Sequence, residues 1–173
     1  MLCTRRALGA LLAMTMTIAC GGANPGGPSG GSGSGSGGSG TSNFGTLTAT
    51  IDGVAYTGVI NTATNANGTL RISSNSADLT RSVNFAARTG VGTITVSPTS
   101  EITFNVITTT GTTVIGSWGA AGQSGSGTLT VTSLTSSGAT GTFSFTAPPA
   151  PAPSAGQATG TKVVTNGSFT ARF

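Results

Sequence analysis

Apolar and polar residues alternate along most of the chain from Phe44 to Phe173, and this period of two constrains the fold more than any other feature. Leu47, Ala49 and Ile51 fall on one face of their segment, with threonines between them. Because successive side chains of a strand point to opposite faces, such runs predict half-buried strands. About nine or ten runs, separated by turn residues, predict a single all-β, antiparallel domain over residues 44–173, either a sandwich or barrel-like.

Two segments interrupt the alternation. Asp78 to Thr80 fits no strand, and a short helical turn is one interpretation of it. Pro148 to Gly160 is rich in Pro, Ala and Gly, a composition that predicts an extended and solvated loop. The alternation then resumes, and Phe169, Ala171 and Phe173 share one face, which gives the last residue a structural role.

Charge is sparse, and this excludes one class of partner. The formal net charge of +4 comes from seven Lys and Arg residues against three Asp and Glu residues. Two of the cations, Arg5 and Arg6, lie in the N-terminal segment, and the others are scattered along the chain. Because nucleic-acid binding relies on clustered Lys and Arg, the sequence predicts no nucleic-acid partner.

The N-terminus has the pattern of a secretory signal that ends in a cysteine. Arg5 and Arg6 precede an uncharged, mostly apolar run from Ala7 to Ala19, which is the order of segments in a signal peptide. The run is shorter than the roughly 20 apolar residues that span a bilayer core. Thr17-Ile18-Ala19-Cys20 resembles a bacterial lipobox, with Thr17 where leucine is commonest. The alternative is an ordinary signal peptide with a chance cysteine.

The lipobox resemblance implies an anchor and an address. It predicts that residues 1–19 are a lipoprotein signal peptide, cut before Cys20, and that Cys20 carries acyl chains such as palmitate. Residues 20–43 then form the anchor and a Gly/Ser linker, a composition typical of flexible coil. No aspartate follows Cys20 directly, and by the sorting rule of some Gram-negative lipoproteins this favours the outer membrane. Cys3 lies in the removed peptide, so no disulfide is expected.

Two stretches carry a resemblance to a known family. One is Ala49 to Tyr56, which contains Ile-Asp-Gly; the other runs from Gly127 through Gly141-Thr142-Phe143-Ser144-Phe145 to Asn166-Gly167-Ser168-Phe169. Together they resemble a family of small bacterial lipoproteins of unknown function with an I-D-G hairpin and C-terminal G-T-F-S-F and N-G-x-F strands. Tyr56 stands where those proteins often have tryptophan. The resemblance implies a fold and an address, and it carries over no catalytic residue.

Reactive side chains are few. The sequence contains no histidine, which removes His-based catalysis and His metal ligands. The acids are Asp52, Asp78 and Glu101. Three acids allow a glycosidase pair arithmetically, but Asp52 is better explained as a turn residue and Glu101 as a surface group at a strand start. We therefore predict no catalytic residue, no metal and no cofactor.

Trp118 and Tyr56 are the candidate ligand contacts. If exposed, their rings could stack on a sugar or on a partner's side chain; the alternative, which the sequence favours, is that both pack at sheet ends. The Thr-x-Thr runs, such as Thr46 to Thr50 and Thr128 to Thr132, invite comparison with the flat arrays of ice-binding proteins. The simpler interpretation is the solvated face of half-buried strands.

The sequence thus predicts a non-enzymatic, lipid-anchored envelope protein whose β domain is a binding or structural module. Its partners are expected to be the membrane, through lipid on Cys20, and an envelope protein or a glycan. Recognition of a glycan through exposed aromatic residues is the rival hypothesis. A second rival, an enzyme, requires Asp52, Asp78 and Glu101 to converge in one cleft.

Overall fold

The computed structural model describes residues 43–88, 90–151 and 156–173, which lie in one compact unit. The predicted signal peptide, Cys20 and nearly all of the predicted linker lie outside the described residues. The described part contains no helix and is built of ten strands: β1 Gly45–Ile51, β2 Val54–Ala66, β3 Thr69–Ser76, β4 Arg81–Arg88, β5 Gly92–Thr95, β6 Ile102–Thr110, β7 Thr113–Ala121, β8 Ser126–Thr135, β9 Gly138–Ala147 and β10 Lys162–Arg172. The all-β prediction is confirmed.

All ten strands belong to one antiparallel sheet with the order β5-β8-β9-β10-β1-β2-β3-β4-β6-β7. Most neighbours are joined by short turns, and Asp52-Gly53 closes the β1–β2 hairpin with positive φ at both residues. The chain departs from this local pattern at β5, which pairs with β8 at the opposite edge before β6 returns to β4. A sheet of this length avoids a flat shape by twisting and curling.

The curl of the sheet is visible in its aromatic contacts. Phe104 of β6 stacks on Phe145 of β9, with ring centroids 4.6 Å apart, although six strand positions separate β6 from β9. Phe85 of β4 likewise contacts Phe143 and Phe169 at 5.6 and 5.2 Å. The sheet therefore forms a half-barrel around one apolar core, and this resolves the choice between a sandwich and a barrel-like form.

The Pro-rich segment after β9 is exposed or half-buried at its described residues, as expected of a solvated loop, but it is also attached to β7. Pro148 accepts a hydrogen bond from the Gly119 N–H, and the Ala150 N–H donates to Ser117 of β7. Farther along, the Gln157 N–H donates to the Ile115 carbonyl. These contacts cover the outer edge of β7. The sequence did not indicate this attachment, because a composition rich in Pro and Ala carries no information about a partner distant in sequence.

Asp78 to Thr80 also differs from its interpretation as a helical turn. The segment is a turn between β3 and β4 in which the Leu79 N–H donates to the Ser76 carbonyl. Thr109 of β6 holds the same turn: its hydroxyl donates to the Leu79 carbonyl, and its N–H to the Thr80 carbonyl.

Candidate functional site

Tyr56 lies inside the half-barrel, with 1% of its surface exposed. Its hydroxyl donates to the Ser74 carbonyl at 3.1 Å and shares a second hydrogen bond with the Ser74 hydroxyl, which donates to the Val83 carbonyl. Burial raises the pKa of the Tyr56 hydroxyl above its ordinary value, because the phenolate form would lose its hydration. The ring is a satisfied core residue with no free face.

Trp118 is 7% exposed and is held by the segment that precedes β10. Its Nε1–H donates to the Gly160 carbonyl at 3.1 Å. The Lys162 ammonium lies 4.9 Å from the ring centroid, a geometry in which a cation is attracted to an aromatic face. In this conformation Trp118 offers no open ring to a sugar or to a partner.

The exposed apolar side chains are aliphatic. Among the described residues, the large hydrophobic side chains that reach the surface are valine, leucine and isoleucine: Val54, Val59, Leu79, Val91, Val114, Ile115 and Val163. The structure thus places both aromatic candidates in the interior and brings neither to a surface groove.

Asp52 lies at the end of β1, where it forms an ion pair with Lys162 of β10. Its carboxylate accepts hydrogen bonds from the Lys162 ammonium at 2.7 Å and from the Val163 N–H at 2.9 Å. Partial burial acts to raise the pKa of this carboxyl, but the hydrogen bonds and the charge of Lys162 outweigh it, so the pKa is lowered. Asp52 ties the first hairpin to the last strand.

Asp78 organises the β3–β4 turn. It accepts hydrogen bonds from the Ser76 hydroxyl and from both the N–H and the hydroxyl of Thr80. The hydrogen bond from Ser76, followed by those from Thr80, lowers the pKa of Asp78 to about 2. The carboxylate therefore accepts its hydrogen bonds from residues of its own turn.

Glu101 lies at the other end of β4 from Asp78. It pairs with Arg88 at 3.4 Å, and both side chains are about two-thirds exposed. The length of β4, at about 3.3 Å per residue, separates the two ends by roughly 20 Å. The three acids do not converge in one cleft, and the described residues hold no cluster of acids and cysteines suited to a metal ion.

Hydroxyl groups dominate the outer face of six neighbouring strands. One continuous row crosses β5, β8, β9, β10, β1 and β2 through directly opposed residues: Thr93, Thr130, Thr142, Ser168, Thr48 and Thr57. Some neighbours in this row bond to each other, as Thr93 does to Thr130 at 2.8 Å and Thr48 to Ser168 at 2.9 Å. The predicted solvated faces of the strands are therefore one connected neutral surface.

This surface is not flat. Adjacent strands rotate by about 20–25° relative to each other, so six strands accumulate roughly 100° of twist. The hydroxyl row follows that twist around the half-barrel, which is the geometry of a curved face and not of the planar array that the ice-binding comparison requires.

A bulge in β10 opens two shallow grooves in this face. The register against β9 shifts between Val164 and Gly167, and Asn166 adopts φ 51°. The grooves on either side enclose about 370 Å³ each, and Thr128 and Ser144 line both of them. Sequence reasoning missed these residues as a group, and Asn166-Gly167 inside a strand was the one signal that marked the irregularity.

Comparisons with family models, with curated proteins and with solved structures find no match to this chain. The resemblance to small bacterial lipoproteins thus stays a prediction, as does the lipidation of Cys20. In the part of the chain that the structure describes, no helix has the length and apolar character needed to cross a membrane.

Proposed function

We propose that this chain is a lipoprotein of the bacterial cell envelope, anchored through Cys20 in the outer membrane, and that its β domain is a non-catalytic binding or structural module. The anchor rests on the Thr17-to-Cys20 segment and on the Gly/Ser stretch after it. Two or three acyl chains on one residue are enough for stable attachment, whereas one is marginal.

The proposal that the β domain is a non-catalytic module rests on the hydrogen bonds and ion pairs of its three acids. Asp52, Asp78 and Glu101 each accept a hydrogen bond or ion pair from a neighbour, and they lie apart. General acid–base chemistry needs a group free to exchange protons with a substrate. A surface of hydroxyls, amides and aliphatic side chains is suited to binding another molecule through hydrogen bonds and apolar contacts.

The experiment that tests the anchor is intact mass and membrane fractionation of the native protein beside Cys20→Ala. We expect the native protein to begin at Cys20, to carry acyl mass and to sediment with membranes, and the variant to lose the lipid. Two soluble proteins cut at another site would refute the anchor.

A second candidate function is recognition of a neutral glycan. The hydroxyl-lined grooves beside the β10 bulge favour it, because hydroxyls both donate to and accept from sugar hydroxyls. The stacking on exposed Trp118 or Tyr56 that the sequence suggested does not support it, since both rings are buried.

Calorimetric titration with envelope polysaccharides tests this candidate. Thr128→Val keeps the shape of a groove residue and removes its hydroxyl, and Thr57→Val makes the same change at the far end of the hydroxyl row. A glycan bound in the grooves loses affinity with the first variant alone. Equal loss in both variants, or no heat with any glycan, excludes the grooves as the site.

A further inference from the structure

Six side chains on the outer face of the sheet form two adjacent rows across β3, β4 and the start of β6. Within each row the residues oppose one another on neighbouring strands. The first row contains Thr69, Arg88 and Glu101, and the second contains Arg71, Ala86 and Thr103. Together the two rows line a groove of about 320 Å³. The fold thus brings two arginines from different strands to one place.

The groove exists because an alanine lies in the middle of the second row. Ala86 separates Arg71 from Thr103, and its side chain ends at Cβ, so β4 forms a low floor between two taller walls. Arg88 lies two residues farther along β4 and is therefore a diagonal neighbour of Arg71. Such neighbours lie about 7–8 Å apart, within reach of long side chains. One small anion can therefore contact both guanidinium groups.

Arg88 is partly neutralised, and Arg71 is not. The Arg88 Nη1 lies 3.4 Å from the Glu101 Oε2, and both side chains are about two-thirds exposed, so the pair is weak. A guanidinium has five N–H donors, and this contact uses one of them. The described residues provide no ion pair for Arg71. Two positive charges against one negative charge leave the groove with a formal charge of +1.

The other described cations are dispersed or already engaged. Lys162 forms its ion pair with Asp52, and the Arg81 guanidinium lies 5.9 Å from the centroid of the Tyr56 ring. Arg172 lies at the end of β10, three strands from β3 in the sheet order. The groove is therefore where the described part of the chain brings two cations together and keeps a net positive charge.

A second groove lies beside the first and shares Arg71, Ala86 and Thr103 with it. It encloses about 290 Å³. Its far wall is a third row of opposed residues, all polar and uncharged: Thr62, Ser73, Asn84 and Asn105. Hydroxyl and amide groups both donate and accept hydrogen bonds. Neutral hydrogen-bonding groups thus continue from the charged groove across β2, β3, β4 and β6.

The lining of the two grooves favours a sugar over a peptide. The large hydrophobic side chains that are exposed among the described residues line neither groove. Ile72 and Phe85 border the second groove, but both are buried. Peptide ligands commonly place apolar side chains in pockets or grooves. A sugar presents hydroxyls instead, and the third row matches these.

The charge of the first groove favours a carboxylate over a phosphate. An ionised carboxylate carries one negative charge, and a guanidinium can hold it through two parallel hydrogen bonds. A phosphate monoester carries about −1.5 to −2 charges at pH 7. That exceeds the +1 of the groove and brings more negative charge beside Glu101. A sugar acid combines the carboxylate with the hydroxyls.

We propose that the two grooves bind an acidic polysaccharide: Arg71 and Arg88 hold the carboxylate of one sugar unit, and the third row contacts hydroxyls of the next. This inference rests on the proposed binding function and names a ligand class for it, at a site apart from the hydroxyl grooves beside the β10 bulge. Its test does not involve the anchor at Cys20.

Trigalacturonic acid and its methyl ester are matched probes, because esterification removes the charge and keeps the sugar. In the full chain, NMR signals of the Arg71 and Arg88 guanidinium groups report occupancy. We expect saturable binding of the acid, with a dissociation constant on the order of 1 mM that rises several-fold between about 0.05 M and about 0.5 M salt. The ester is expected to bind about tenfold more weakly, the effect of a charged hydrogen bond. Equal affinity for acid and ester, or shifts confined to other residues, overturns the site.

Two variants and a control test the charges. Arg71→Gln removes the unpaired cation and is expected to weaken binding of the acid about tenfold. Arg172→Gln makes the same change in net charge on β10 and is expected to leave the affinity unchanged. Glu101→Gln removes the carboxylate beside the site, so binding of the acid should become about threefold tighter, a gain that misfolding cannot produce. Unchanged binding in Arg71→Gln, an equal loss in Arg172→Gln or a loss in Glu101→Gln refutes the proposal.

Further probes test the source of the anion. Galactose 6-phosphate is expected to bind more weakly than galacturonate, and tighter binding of the phosphate overturns the assignment of a carboxylate. Acetyl-Gly-Glu-Gly-amide carries a carboxylate without sugar hydroxyls and is expected not to displace trigalacturonic acid at equal concentration. Displacement shows that the site serves acidic peptides and overturns the polysaccharide. Failure of every probe refutes this site alone, because neither the fractionation test of the anchor nor the titration with neutral polysaccharides depends on Arg71.

Discussion

Truncation of Phe104 to alanine tests whether the sheet closes on itself as described. Phe104 is fully buried and joins two parts of the core that are remote in the sheet order: it stacks on Phe145 at 4.6 Å and contacts Phe85 at 6.0 Å. If the curl brings β6 onto β9, Phe104 and Phe145 stabilise each other. If it does not, each contributes only through its own neighbours.

The magnitude follows from burial and from the aromatic contact. Replacing a buried phenylalanine by alanine costs about 3–5 kcal/mol of unfolding free energy. A domain of roughly 130 residues has about 7–20 kcal/mol in total, so the Phe104→Ala protein should remain folded at 25 °C. The expected fall in melting temperature is roughly 10–20 °C. The stacked pair adds a coupling of about 0.5–1.5 kcal/mol beyond burial.

Urea unfolding, followed by circular dichroism and by the fluorescence of the single tryptophan, measures both quantities. Phe104→Ala, Phe145→Ala and the double variant complete a double-mutant cycle, and Val114→Ala, at a side chain 49% exposed, is the surface control. We expect the control to lie within about 0.5 kcal/mol of the native protein. Strictly additive losses for the two phenylalanines would refute the contact between β6 and β9.

Three further predictions concern polar contacts. Because the folded pKa of Asp78 is about 2, its stabilising effect is present above about pH 4 and is lost as pH falls toward 2. In Asp78→Asn the urea midpoint should therefore change less with pH over that range than in the native protein. An equal pH dependence in the two proteins would contradict this. Tyr56→Phe, which removes the hydroxyl bonded to Ser74, should lower the unfolding free energy by about 1–2 kcal/mol; no loss in urea unfolding would show that the hydroxyl is dispensable. Lys162→Met keeps contact with Trp118 and removes the charge. We expect the unfolding free energy to fall by about 0.5–1.5 kcal/mol and the difference to shrink in 1 M salt. A difference that does not depend on salt would show that Lys162 stabilises the fold through packing and not through its charge.

The strands could be predicted from the sequence because their periodicity is local. Leu47, Ala49 and Ile51 are all buried, as the alternation requires, and so are Phe143 and Phe145. A strand has only two faces, so a run of alternating residues leaves one choice of which side is inward. The turn role given to Asp52 follows from the same kind of local chemistry.

The sheet order and the cover over Trp118 could not be predicted. The partners of Trp118 at Thr159 and Gly160 are about 40 positions away in sequence, and nothing in either segment specifies the other. The exposure of Trp118 therefore depended on a contact that alternation does not encode. Asp78 was similar, since a single acid gives no sign that it will organise a turn.

Bulges are the third feature that escaped prediction, and one of them lies at the hydroxyl grooves. A bulge adds one residue and so interrupts the alternation from which strands are recognised. The one in β10 forms the hydroxyl grooves. These grooves thus lie where the strongest sequence signal fails, as expected when a site needs a local departure from regular structure.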